Sequence, residues 1–379
     1  MLKILLLNFH FADNYGAVLQ SYALQQFLKN SGFNVENINF IPDKINHSYT
    51  LFPKVNYILR TQGLIRTIKI SIIKSIKFPN RYARRKEFKA FRKEHIDVTK
   101  LKFKSVNELY EYDFKADYAI VGSDQVWNPD ITGDNEAAYF LNFVGSSAHK
   151  ISYAASVAKE LDNNKIYDFT KYLNDFKAIS VREKSTADVL NKEKSINVSV
   201  TVDPTMLLNR DNYLEISEDC EIKEQFILVY DLRKDDSIMK TLAFRLAKEK
   251  NWKIISYKQW DTNSSYYKGS FNKFGPSKFL DLFTKAEFVF SSSFHGTVFS
   301  LIFEKDFLAI NSPSRGNRIK DLLDKIDLDD RVISTNISKS NTDIISKNVF
   351  ESRINYSEVS PKLNELIEDS KQFLHYYVK

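Results

Sequence analysis

The stretch KILLLNFHFADNYGAVLQSYALQQFLKNSGFNVENINF, Lys3 to Phe40, holds two apolar runs with a helical pattern between them. Lys3–Asn8 reads as a strand. Ala17, Leu19, Ala23, Leu24, Phe27 and Leu28 then recur at helical spacing. Gly32 suits the left-handed residue that ends a helix, and Val35–Phe40 reads as a second strand. Strand, helix and strand in so short a span make a βαβ unit.

The same alternation continues along the chain. Tyr118–Val121, Ile151–Ala155, Ala178–Val181 and Val198–Val202 are short, apolar and followed by polar turn residues. A second series starts at Phe226–Tyr230 and continues with Lys253–Ser256, Phe288–Phe290 and Phe307–Ile310. Helical patterns lie between these at Met239–Lys250 and Lys278–Lys285, and Val359–Tyr377 reads as a closing helix. Such a pattern predicts an α/β protein of two doubly wound Rossmann-like domains facing a cleft. The expected division is residues 1–212, with a basic insertion at about 54–104, then residues 213–355, then a closing helix over 356–379. A chain of 379 residues is long enough for two such cores.

Composition narrows the class. Hydrophobic residues make up 43% and charged residues 27%, ordinary for a soluble globular protein. The single cysteine, Cys220, excludes a disulfide framework or a Cys-based zinc site within one chain. The N-terminal apolar run lacks a basic leader and is too short to span a bilayer, so a cytoplasmic location is expected.

The formal net charge of +7 is unevenly spread. Lys54–Lys104 holds sixteen lysines and arginines against Glu87, Glu94 and Asp97. This segment is either a solvated face or the contact for an anionic partner. Within it, Leu64, Ile65, Ile68, Ile72, Ile73 and Ile76 are interleaved with Arg66, Lys69, Lys74 and Lys77. A helix of that pattern could lie peripherally on the inner face of a membrane, or pack as ordinary core. Regular aromatic stacking is missing from the segment, so no nucleic acid is expected as a partner.

In open parallel sheets, ligands bind beyond the carboxyl ends of strands. Residues just after strands are therefore the candidates. After the first strand, Asp13 or Asn14 could cap a helix, or the helix start at Asn14 and Gly16 could offer N–H groups to an anion or a sugar hydroxyl. GSDQVWNPD follows the strand at Tyr118. Ser123, Asp124 and Asn128 are short polar groups, and Trp127 could stack on a sugar ring or pack into the core. Arg182 follows the strand at Ala178, where it could grip a carboxylate or phosphate, or pair with Glu183 or Asp188. Asp203 could cap the turn after Val202. SSSFHGTVFSLIFEKDFLAI, Ser291 to Ile310, sets His295 at a loop–helix junction, with Thr297 expected to begin the helix. A histidine there can exchange protons near neutral pH. Lys305 lies beyond that helix, and Arg315 and Arg318 follow the next strand. Of the other histidines, only His10 lies near these positions. The chain has no GxxxxGK[ST], no GxGxxG and no HExxH, so no metal or dinucleotide is expected.

Taken together, NYGAVLQSYAL, GSDQVWNPD, SVREKS, VDPTMLL and SFHGTVFSLIFEKDFLAI resemble the polysaccharide pyruvyl transferase family, in the family's order, from Asn14 to Ile310. The resemblance implies a fold similar to the glycosyltransferase B architecture. It also implies transfer of a pyruvyl group from phosphoenolpyruvate to two hydroxyls of a sugar or lipid-linked glycan, forming a cyclic ketal and releasing phosphate, with no cofactor. By motif position it carries a catalytic role onto His295 and donor binding onto Arg182 and Lys305. The family commonly has proline after that lysine, where this chain has Asp306. Two other functions fit the same residues. One is a glycosyltransferase of similar fold using a nucleotide sugar, and the other a non-catalytic glycan- or nucleic-acid-binding protein.

Overall fold

The structure, a computed structural model, describes residues 1–46, 78–158, 163–192, 196–235, 237–311, 317–334 and 348–379. Twelve strands among them form two six-stranded sheets. The first contains β1 (Lys3–Leu7), β2 (Asn34–Asn37), β3 (Tyr118–Val121), β4 (His149–Ala155), β5 (Phe176–Val181) and β6 (Val198–Val200). The second contains β7 (Phe226–Tyr230), β8 (Lys253–Ser256), β9 (Tyr267–Ser270), β10 (Phe288–Ser291), β11 (Phe307–Asn311) and β12 (Val332–Ser334). The sheet orders are β2-β1-β3-β4-β5-β6 and β12-β11-β10-β7-β8-β9, with every pairing parallel. In each sheet the chain starts inside, at β1 one strand from an edge and at β7 near the middle, winds to the nearer edge, and returns to build the other. The reversals fall between β1 and β3 and between β7 and β10.

The expected doubly wound fold is therefore present, with local differences. β9 and β12 were not expected. β9 is a half-buried edge strand, YKGS, with no apolar run, and β12 has only three residues. The helix after β10 begins at Phe294 rather than Thr297, which puts His295 inside its first turn. Gly32 ends the first helix (Tyr15–Asn30) as expected. Its φ is +88°, and the N–H groups of Gly32 and Phe33 donate to the carbonyls of Lys29 and Leu28, the hydrogen bonds of a Schellman cap.

Strand alternation sorts the core. Leu5 and Leu7 face an outer layer of the first half, and Ile227 and Val229 an outer layer of the second. Ile4, Leu6, Phe226, Leu228 and Tyr230 join one apolar cluster common to both halves. Tyr15 crosses this seam. It stacks on Phe279 at 4.0 Å, and its hydroxyl donates to the Phe274 carbonyl at 2.7 Å.

The helix Phe78–His95 fastens the seam from the side. Arg84 donates to the Tyr257 hydroxyl of the second half and to the Asp13 carbonyl of the first. Glu87 accepts from the Gly275 N–H and from Lys278. The final helix, Tyr356–Tyr377, returns to the first half, where the Ser370 hydroxyl accepts from the Val202 N–H and the chain end meets the Tyr118 hydroxyl. No described helix is long and apolar enough to cross a membrane. The amphipathic stretch from Leu64 to Lys77, with Arg66, Lys69 and Lys74, lies outside the described residues.

Removing the Tyr15 ring takes a fully buried aromatic out of the seam. Tyr15→Ala is expected to lower stability by about 3–5 kcal/mol, measured by urea denaturation. A midpoint equal to that of the parent would show that the two halves are held together elsewhere.

Candidate functional site

The three serines before His295 each have a local task. The Ser291 hydroxyl accepts from the Ser293 N–H. Ser292 donates to Asp231 at 2.6 Å, tying the loop after β10 to the one after β7. Ser293 is the N-cap of the helix Phe294–Ile302, accepting from the Gly296 N–H. This loop delivers His295 to the seam. Its ring lies against the first turn of the Tyr15–Asn30 helix, where a Cβ on Gly16 would come within 2.1 Å of His295 Nδ1. Any side chain at residue 16 would displace the imidazole.

Asp203, fully buried after β6, faces the other edge of the ring. Its Oδ2 is 3.4 Å from His295 Nε2, an ion-pair distance, and accepts from Arg182 Nη1 at 2.8 Å and Ser123 Oγ at 3.1 Å. Its Oδ1 accepts from the N–H and hydroxyl of Thr205. Burial works against the charge of this carboxylate. His295, Arg182 and the Thr205 N–H outweigh that cost and hold the carboxyl well below the usual carboxylate range.

Arg182 stands at the end of β5. Its guanidinium lies 4.6 Å from the centre of the Phe294 ring, which Arg318 of the second half approaches at 6.0 Å. Glu183 is buried beside them, bonded to Ser156, with Oε1 at 3.7 Å from Arg182 Nε and 4.0 Å from Arg318 Nε. Burial works against the Arg182 charge, and Asp203, Glu183 and Asp124 more than restore it. Arg182 Nε and Nη2 have no hydrogen-bond partner among the described residues. A cavity of about 70 Å³ opens here, where Arg182, Lys184, Arg318 and Lys325 meet Asp203, Asp321 and Asp369 among apolar side chains.

The expected site residues divide into groups. His295, Arg182, Arg318, Gly16, Ser123 and Asp124 meet in one region, with Asp124 Oδ1 at 3.9 Å from Arg182 Nη2. Asn14 lies beside them as a helix cap, accepting from the Ala17 N–H. Asn128 caps the short helix Pro129–Thr132. Trp127 presents no face to a ligand. Its ring is fully buried, stacks on Phe140 and donates to the Tyr139 carbonyl. Lys305 does not reach the site. It precedes β11, so it sits at the amino end of a sheet whose carboxyl ends hold His295. A five-residue strand separates those ends by about 16 Å. Its Nζ donates to the Thr284 carbonyl, and Asp306 accepts from the Ile354 N–H. Arg315 lies outside the described residues. Asp203 was read only as a turn cap, and Glu183 only as a surface partner of Arg182. A carboxylate has two oxygens, and the cap occupies only one of those on Asp203.

One group of described residues could approach a metal, Asp219, Cys220 and Asp281. Lys285 Nζ already sits at 2.5 and 2.8 Å from the two carboxylates, and burial pushes the Cys220 thiol up to about 12. These residues lie away from His295 and already hold a cation.

The family model for polysaccharide pyruvyl transferase matches residues 14–314. The chain belongs to that family. No curated protein matches it. Among solved structures it is similar to UDP-N-acetylglucosamine 2-epimerase from Rickettsia bellii, with a TM-score of 0.52 and 11% identity over 100% of this chain and 97% of that one. It is also similar to UDP-GlcNAc 2-epimerase from Methanocaldococcus jannaschii, with a TM-score of 0.54 and 11% identity over 98% of this chain and 99% of that one. At such identity the likeness is one of fold, two Rossmann-like halves facing a cleft as in the glycosyltransferase B architecture. Family membership implies a transferase with a glycan acceptor.

Two outcomes follow from this geometry. Gly16→Ala should cut turnover by about 10²-fold or more by displacing the His295 ring, and lower stability by about 1–3 kcal/mol through overpacking in a protein that still folds. Unchanged turnover would show that the ring position is not needed. His10 supplies a pH test. It is buried, and desolvation first and the nearby Arg92 second push its pKa down to about 4. The unfolded chain protonates this group near pH 6.5, whereas the folded protein resists until about 4, so stability falls with pH across that window. The loss attributable to His10 is about 3 kcal/mol at most. His10→Gln should flatten the stability profile between pH 6.5 and 4, and an equally steep profile in the variant would assign the acid sensitivity to other groups.

Proposed function

We propose that this protein transfers the pyruvyl group of phosphoenolpyruvate to two hydroxyls of one sugar, in a surface glycan or its precursor. The observation that carries this is the Asp203–His295 pair set between Arg182 and Gly16, at the carboxyl ends of strands from both halves. Family membership supplies the reaction class, and the site supplies groups suited to it.

Phosphoenolpyruvate carries a carboxylate and a phosphate. Arg182 and Arg318, one from each half, are disposed to take these anions, and a cation beside the phosphate favours its departure. Arg182 also offers two N–H-bearing nitrogens without a described partner. In the reaction, the enol carbon C3 gains a proton and becomes the methyl group. One sugar hydroxyl adds at C2, the C2–O bond to phosphate breaks, and the second hydroxyl closes the ketal. Of the two hydroxyl protons, one balances the proton gained at C3 and the other leaves with phosphate. A histidine can shuttle them. Asp203 Oδ2 faces Nε2 at 3.4 Å, which leaves Nδ1, on the Gly16 side, as the atom to exchange the proton. No cofactor is called for in this scheme.

The test is phosphate release from phosphoenolpyruvate, measured with a panel of sugar acceptors, with the ketal methyl followed by NMR. His295→Ala should lower turnover by about 10²-fold or more in a protein that still folds. Arg182→Lys should remain impaired, because a point charge cannot replace the planar fork. Near-normal turnover in folded His295→Ala would remove His295 from the chemistry. Turnover of a nucleotide sugar with none of phosphoenolpyruvate would replace this proposal with glycosyl transfer.

A further inference from the structure

Glu183 is the N-cap residue of the helix Lys184–Leu190, yet its side chain makes no capping hydrogen bond. A carboxylate at a helix start is ordinarily drawn to the free N–H groups there. This one turns to the seam instead. Ser156 donates to its Oε1. The same oxygen lies 3.7 Å from Arg182 Nε and 4.0 Å from Arg318 Nε. Its Oε2 is buried and has no hydrogen-bond partner among the described residues. The side chains of Arg182 and Glu183 are buried, and that of Arg318 is nearly so.

Arg182 belongs to the first half and Arg318 to the second. Both guanidiniums approach the Phe294 ring, at 4.6 and 6.0 Å from its centre. Two cations held this close in a seam with little water repel each other. A carboxylate oxygen that meets both Nε atoms offsets the repulsion, and it limits how far apart the two can stand. Contact at Nε also fixes the tilt of a guanidinium plane and leaves the outer Nη nitrogens to other partners. On Arg182, Asp203 takes Nη1, and Nη2 has no hydrogen-bond partner among the described residues. Asp124 also faces Arg182, at Nη2, but Glu183 is the carboxylate set between Arg182 and Arg318. The cavity described above is lined by both arginines.

We propose that Glu183 is the positioning residue of the donor site, holding Arg182 and Arg318 at the spacing and tilt that let one small molecule with two anionic groups engage both. Glu183 touches no reacting atom in this scheme and acts through the two arginines. A ligand that carries a carboxylate and a phosphate can bridge a pair of guanidiniums, whereas a lone anion satisfies one of them. The spacing that Glu183 sets therefore favours the doubly anionic ligand over either group alone. This rests on the proposed function for the identity of the donor.

The test titrates phosphoenolpyruvate, and separately inorganic phosphate, into the full chain by calorimetry. Glu183→Gln keeps the shape and an oxygen for Ser156 but removes the charge. It should weaken phosphoenolpyruvate binding by about tenfold or more and phosphate binding by much less. In Arg318→Gln protein the same substitution should matter little, by about threefold or less, because the two residues act as one unit. Ser156→Ala, which frees Glu183 and leaves every charge in place, should shift phosphoenolpyruvate binding in the same direction, and it supplies the reading if Glu183→Gln does not fold. Unchanged or tighter phosphoenolpyruvate binding in Glu183→Gln would overturn the proposal. So would equal losses for the two ligands, which would mean that Glu183 only supports the fold, and so would a full loss in Arg318→Gln protein. Failure of the parent protein to bind phosphoenolpyruvate would remove the donor and this proposal with it. Binding that responds to Glu183→Gln without any turnover would remove the proposed function and leave the role of Glu183 standing. Turnover that Glu183→Gln leaves untouched would do the reverse.

Discussion

The Asp203 carboxylate is the constraint on which the site depends. A buried charge is tolerated only when nearby cations and hydrogen-bond donors replace the lost water. Those of Asp203 come from Arg182 at the end of β5, Ser123 after β3, Thr205 in its own turn and His295 after β10. Three belong to the first half and one to the second. The balance is complete only when the halves meet, so the electrostatics that position His295 also favour closure of the seam. Breaking one member of a buried pair typically costs about 3–5 kcal/mol, comparable to losing a large core side chain. Damage at Asp203 would therefore reach both the seam and the position of His295.

Much of this was legible in the sequence, and the failures have physical causes. Periodicity identified the apolar strands because a parallel sheet buried on both faces needs continuous hydrophobic runs. It missed β9, a half-buried edge strand, and β12, too short to show a pattern. The rule that ligands bind beyond the carboxyl ends of strands singled out Arg182 and His295, which the structure brings together at Asp203. It does not say which way a side chain turns, so Trp127 was open to a ligand role that its burial rules out. Motif position alone assigned Lys305 to the donor. The rule about strand ends argues against that, because Lys305 precedes its strand.

The basic segment shows a different limit. A surplus of lysine and arginine was compatible with a solvated face or an anionic partner. In the described part the two coexist on one helix. Lys86 and Lys89 are exposed, while Arg84, Arg85 and Arg92 turn inward toward Asp13. Their convergence depends on a loop some seventy to eighty residues earlier in the chain. Local charge patterning cannot show this. The choice of arginine is informative in retrospect, since its planar fork tolerates partial burial and bidentate contacts better than lysine does.

Arg182 and Asp203 stand on one side of His295 and Gly16 on the other, with Arg318 approaching the same Phe294 ring as Arg182. Asp203 is the immediate counter-charge of this group. A carboxylate in direct contact outweighs more distant cations, because Coulomb energy falls with distance even before screening. The Asp203 carboxylate, 3.4 Å from Nε2, therefore dominates the field at this edge of the ring over the guanidinium of Arg318. In the proposed acid/base role of His295, the position of Asp203 is thus as necessary as that of the ring itself.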